Sequence, residues 1–174
     1  MTQMTATLQQ WLEQVAIGRT RFALLEAIGP MADRFSSCAL TSAGLAITSG
    51  GAATASTGSG ACVVLANGIT VSIAGSTTLP ALTGINFTTG QFVIVCFFCD
   101  SAGTLTVAGG GAGATLAAAT WPPFPAGKAL VGFLTITYAS AFTGGTTPLD
   151  TATTTYNNPL TAFDPSVLVG ATSY

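Results

Sequence analysis

Residues 61–73 read ACVVLANGITVSI, two apolar runs separated by Asn67-Gly68. Asn-Gly is the pair best suited to the positive φ angles of a two-residue hairpin turn, so this stretch predicts two antiparallel strands. Working outward, Gly90 separates INFTT from QFVIVCFFC, and Asp100-Ser-Ala-Gly103 turns the chain into TLTVA, which predicts a second hairpin. Lys128 to Tyr138 alternates as a further strand, Thr151 to Tyr156 adds another, and Gly44 to Thr48 reads as the first. Ser49 to Gly60 and Trp121 to Gly127 break the pattern and read as loops, the second as a rigid sheet-to-sheet crossover. Short strands joined by turns, with no helices between them, predict a mainly β chain. Residues 36–174 are expected to form an antiparallel β-sandwich of the jelly-roll kind.

The first 35 residues have a different character. Thr7 with Gln10 forms a capping-box pattern, and Gly29-Pro30 is a common stop, so an N-terminal α-helical arm is expected over residues 1–35. Its helix runs roughly from Leu8 to Ile28, about 32 Å at 1.5 Å per residue. Leu8, Trp11, Leu12, Val15 and Phe22 fall on one side, and Ile17, Leu24 and Ile28 on the other. A 3,4 spacing also links Leu8, Trp11, Val15, Gly18, Phe22 and Leu25. A helix with two apolar faces needs two neighbours. Leu8, Trp11, Leu12, Val15, Phe22, Leu25 and Ile28 are therefore the expected interaction residues.

Composition narrows the function. Only 6% of the 174 residues are charged, where about a quarter is usual, and the net charge is −2. Glu13, Arg19, Arg21, Glu26, Asp33 and Arg34 lie in the arm, leaving Asp100, Lys128, Asp150 and Asp164 for the rest. Phosphate binding needs several cations on one surface, so nucleic acid is not an expected partner. The longest apolar stretch, Phe92 to Cys99, falls far short of the roughly 20 residues of a membrane-crossing helix, so no membrane is expected either. The N-terminus shows no basic and apolar signal-peptide pattern, and the expected place of synthesis is the cytosol. A weakly charged surface associates, so a homo-oligomer is expected, a trimer ahead of a dimer.

The residues that carry chemistry are few. The chain contains no His, which removes the usual general base and a common zinc ligand. Asp100, Asp150 and Asp164 each sit in a turn-like context, which accounts for them without a catalytic pair. Cys96 and Cys99 are three apart in a strand and so point to opposite faces, which leaves buried thiols rather than a metal or redox motif. Gly109-Gly-Gly-Ala-Gly113 lacks the Lys-Ser/Thr of a phosphate loop and reads as a bend. Trp121-Pro-Pro-Phe-Pro125 contains a PxxP spacing without flanking cations. No enzyme activity, cofactor or metal site is expected.

GQFVIVCFFCDSAGTLTVAGG, TLAAATWPPFPAGKALVGFLTITYA and FTGGTTPLD, together spanning Gly90 to Asp150, resemble a recurrent pattern of tailed-bacteriophage virion structural proteins. The thiols of Cys96 and Cys99 depart from that pattern. The resemblance implies a decoration, cement or head-fibre component, or a part of the tail, fibre or baseplate. With the compact size it places a capsid decoration or cement protein first, bound to the major capsid protein on the capsid exterior. A further alternative is an extracellular adhesin or carbohydrate-binding sandwich, with Trp121, Tyr138 or Tyr156 stacking on sugars.

Overall fold

The computed structural model describes residues 36–159; the helical arm expected at residues 1–35 lies outside them. The described strands are β1 (Cys38–Ala39), β2 (Ala46–Ile47), β3 (Ala55–Ser56), β4 (Cys62–Ala66), β5 (Ile69–Ile73) and β6 (Asn86–Phe87). They continue with β7 (Phe92–Cys99), β8 (Leu105–Gly109), β9 (Ala129–Thr137), β10 (Phe142–Thr143) and β11 (Thr153–Asn157). One 3-10 turn, Leu116–Ala118, is the only helical element among the described residues. The region is thus mainly β, and its strand pairings are antiparallel.

The Asn67-Gly68 turn forms as its sequence requires: φ is 50° at Asn67 and 75° at Gly68, and Ala66 pairs with Ile69 directly across it. β1 joins this hairpin to give a three-stranded sheet in the order β1-β4-β5. The DSAG turn connects β7 to β8, and β9 and β11 complete a four-stranded sheet in the order β11-β9-β7-β8. Three expectations need correction. Gly44 to Thr48, read as the first strand, holds β2 at Ala46–Ile47, and β1 at Cys38–Ala39 precedes it because pairing with Val64 and Leu65 sets it. The stretch Ser49 to Gly60, read as a loop, contains β3, which pairs with β2. Trp121 to Gly127 is not a crossover between sheets, because β8 before it and β9 after it belong to the same sheet.

β7 is the centre of the fold. All of its residues beyond Phe92 are buried, so alternate side chains enter two separate cores. Val93, Val95, Phe97 and Cys99 share one with Cys62, Val64, Ala66 and Ile73 of the first hairpin. Ile94, Cys96 and Phe98 enter the other, with Leu130 and Phe133 of β9 and Ala119. A strand buried on both faces reads as a continuous apolar run because neither face meets water. A bulge at the β9 partner of Phe97 and Phe98 inserts Val131 as an extra residue on the first-core side.

The segment between β8 and β9 closes the second core. It folds back over the sheet: the Phe92 amide donates to the Gly113 carbonyl at 2.8 Å, and Gly113 returns the bond at 2.9 Å. Trp121 then packs edge-on against Phe133 with ring centroids 4.9 Å apart, and Phe124 meets Phe98 at 5.1 Å. Trp121 is half-buried and Phe124 keeps 40% of its surface exposed, so each contributes less than the roughly 1.5–3 kcal/mol of a fully buried large side chain. The glycines of Gly109 to Gly113 allow the close approach. A Cβ at Gly113 would collide with the Ala118 carbonyl, and one at Gly110 with the Thr120 carbonyl.

This packing predicts that Gly113→Ala destabilises the protein by about 1–3 kcal/mol in urea unfolding, the usual cost of overpacking. Gly60→Ala is the control: nothing lies within 4 Å of a Cβ there. Its effect is expected to stay within about 0.5 kcal/mol. Equal effects of the two changes would contradict the strap.

Candidate interaction surface

Among the described residues, both carboxylates are tied into the fold. Asp100 accepts from the Thr104 amide at 2.9 Å and the Ala102 amide at 3.0 Å. The Thr104 bond, followed by smaller contributions including Ala102 and the charge of Lys128, holds its carboxyl below the usual carboxylate range. Asp150 accepts from the Gly51 amide at 2.7 Å and so ties two loops together. These carboxylates lie at opposite ends of the four-stranded sheet. Asp100 follows the Cys99 end of β7, while Asp150 precedes β11, whose Thr153 pairs with Thr137 beside Phe92. Seven strand steps, roughly 23 Å, separate those ends. Asp164 lies outside the described residues.

The thiols behave as packing groups. Cys96 and Cys99 enter different cores, as their spacing in a strand requires. Burial pushes the Cys96 thiol far above its ordinary range and raises Cys62 as well; at Cys99, burial acts first and the negative charge of Asp100 adds to it. The glycine-rich turn offers no anion cradle: the Gly110 amide donates to Ile94 O, Gly111 to Thr120 Oγ1 and Gly113 to Phe92 O. Among the described residues, no group of three or more Cys, Asp or Glu is placed to hold a metal ion.

The aromatic candidates do not converge. Trp121 packs on the second core, while Tyr138 and Tyr156 pack against the first, on the other face of the sheet. Burial, with a smaller contribution from the charge of Asp150, raises the Tyr156 hydroxyl above its ordinary value.

What the structure does present is surface almost without charge. Asp100, Lys128 and Asp150 are the only charged residues between 36 and 159. The Lys128 ammonium donates to Thr106 Oγ1 at 3.2 Å. On the three-stranded sheet, Val63 and Leu65 alternate with the buried Cys62, Val64 and Ala66 and so stand on the outward face. Cys38 lies opposite Leu65, and Leu40, whose amide donates to Val63 O at 2.9 Å, is 50% exposed. Ile69 and Phe124 are exposed as well. The doubled apolar pattern of CVVLA was the sequence signal for this outward face, since a strand wetted on one side normally alternates with polar residues. The interaction residues expected from sequence, Leu8, Trp11, Leu12, Val15, Phe22, Leu25 and Ile28, lie outside the described residues.

Comparison of the chain with models of known protein families, with curated proteins and with solved structures gave no match.

The burial pattern predicts thiol reactivity. In native protein at neutral pH, half-buried Cys38 should react with a thiol reagent, while Cys62, Cys96 and Cys99 react only on unfolding. Four titratable thiols are expected in denaturant without reductant. Fewer than four, or stoichiometric zinc by elemental analysis, would contradict this. Because the three buried thiols are raised above their ordinary 9.0, the unfolded state ionises first, so stability should hold below about pH 9 and fall as the pH rises further.

Proposed function

We propose that this chain is a non-enzymatic, self-associating structural protein. We read its described region as an antiparallel β-sandwich of the jelly-roll kind, because the two sheets contribute side chains to one shared core. The observation that carries the functional reading is the near absence of charge over residues 36–159, combined with an apolar outward sheet face at Leu40, Val63 and Leu65. Exposed surface of this kind is normally covered by other subunits. The assignment of Asp100, Asp150 and the glycine turn to structural hydrogen bonds supports a role without catalysis.

Within that class, the resemblance over Gly90 to Asp150 favours a tailed-bacteriophage virion component, a capsid decoration or cement protein ahead of a tail, fibre or baseplate part. In this reading homo-oligomers assemble in the host cytoplasm and seat on the major capsid protein at the capsid exterior. The arm of residues 1–35 attaches them through Leu8, Trp11, Leu12, Val15, Phe22, Leu25 and Ile28. The sugar-binding alternative is less favoured because Trp121 lies on the opposite sheet face from Tyr138 and Tyr156.

Light scattering on the purified chain should give an oligomer at micromolar concentration; a monodisperse 17.3 kDa monomer would contradict self-association. Deleting Met1 to Phe35 should leave a folded β domain by circular dichroism but abolish binding to capsid particles, and Trp11→Ser with Val15→Ser should act likewise. Undiminished particle binding by the truncated chain would remove the arm from the attachment role.

A further inference from the structure

In the four-stranded sheet, β11 is an edge strand with no strand on its outer side among the described residues. Phe92 exchanges hydrogen bonds with Gly113, and Ile94 O accepts from Gly110, so the even-numbered residues of β7 spend their backbone groups on the β8 side. Strand alternation then gives Val93 and Val95 to β9, through their partners Ile136 and Leu134. It leaves Thr137, Thr135 and Phe133 to bond β11 through Thr153, Thr155 and Asn157. Thr154 and Tyr156 consequently direct their N–H and C=O groups away from the sheet. No backbone bond meets these groups among the described residues.

β8 and β5 are edges of the same length, but each has a charged residue close by: Lys128 Nζ donates to Thr106 Oγ1 of β8 at 3.2 Å, and the turn from Asp100 to Gly103 lies against β5, with a Cβ at Gly103 falling 3.6 Å from Val71 Cγ1. β1 is only two residues long. β11 has five residues, exposed Thr153 and Thr155, and neither a charge, a proline nor a bulge, the usual devices against edge pairing. Asp150, the nearby carboxylate, precedes the strand and is engaged by the Gly51 amide.

We propose that the open edge of β11 docks a second copy of this chain, β11 against β11 about a two-fold axis through Thr155. This rests on the self-association reading above and gives it a surface. The outward set is complementary to itself: Thr154 of one copy exchanges both backbone bonds with the partner subunit's Tyr156, and the reverse pair repeats the exchange. Thr155 faces the partner subunit's Thr155, a favourable uncharged cross-strand pair. A two-fold contact makes an even number of copies. An even number therefore replaces the trimer as the stoichiometry we propose.

The test uses full-length protein with Thr155→Lys and Thr155→Glu, each checked for folding by circular dichroism and sized by analytical ultracentrifugation at micromolar concentration. Thr155 is exposed, so both variants should fold. Each alone places like charges face to face and should shift the wild-type oligomer to half its mass or less, while an equimolar mixture should restore the wild-type mass. Thr154→Pro removes an outward N–H and the Thr154 Oγ1 bond to Leu149 O but no bond to β9; checked for folding in the same way, it should dissociate the oligomer even if either charged variant misfolds. Full retention of mass by these variants would overturn the β11 contact and leave self-association standing. Dissociation without restoration on mixing would overturn the two-fold register in favour of a different strand. A monomeric wild type would overturn both readings.

Discussion

Everything in the described region depends on covering β7 from both sides. Its eight residues, FVIVCFFC, contain no polar side chain, so neither face tolerates water. On one face the first hairpin supplies Cys62, Val64, Ala66 and Ile73; on the other the strap supplies Ala119 and Trp121, with Phe124 on Phe98. Remaining irregularities follow from that demand. The glycines at 110 and 113 exist because the strap passes within contact of the sheet. Gly132 exists because Leu45 occupies the place of its Cβ and the Asn157 carbonyl closes the other side.

A chain that concentrates its apolar residues at one central strand still has to manage its outer surface. Here the solution is Thr, Ser, Gly and Ala rather than Lys and Glu, and three charged residues serve all of residues 36–159. Such a surface is hydrated through hydroxyls and backbone, with little repulsion between copies. The outward apolar face at Val63 and Leu65 and the open edge of β11 are two expressions of the same composition. Both fit the self-association that we propose.

Much of the fold was legible in the sequence because its strongest elements are local. The Asn67-Gly68 turn, the Asp100 turn and the strands β7, β8, β9 and β11 each follow from turn chemistry next to an apolar run. What escaped reading was non-local. β1 and β3 are two-residue strands set by pairing to Val64, Leu65, Ala46 and Ile47, and nothing in their own residues announces them. Trp121-Pro-Pro-Phe-Pro125 looked like a crossover because its proline content is visible in sequence, while its partners Phe98 and Phe133 are joined to it only by the fold. The outward groups of Thr154 and Tyr156 were likewise invisible, since sequence carries no record of which side of a strand is left unpaired.

Amide hydrogen exchange on the native protein tests the central constraint most directly. If β7 organises the region, the amides of Val93 to Cys99 will be the slowest to exchange, at the rate set by global unfolding and independently of protein concentration. Faster exchange of these amides than of those in β4 and β5 would show that the four-stranded sheet opens locally. The fold would then not depend on covering β7.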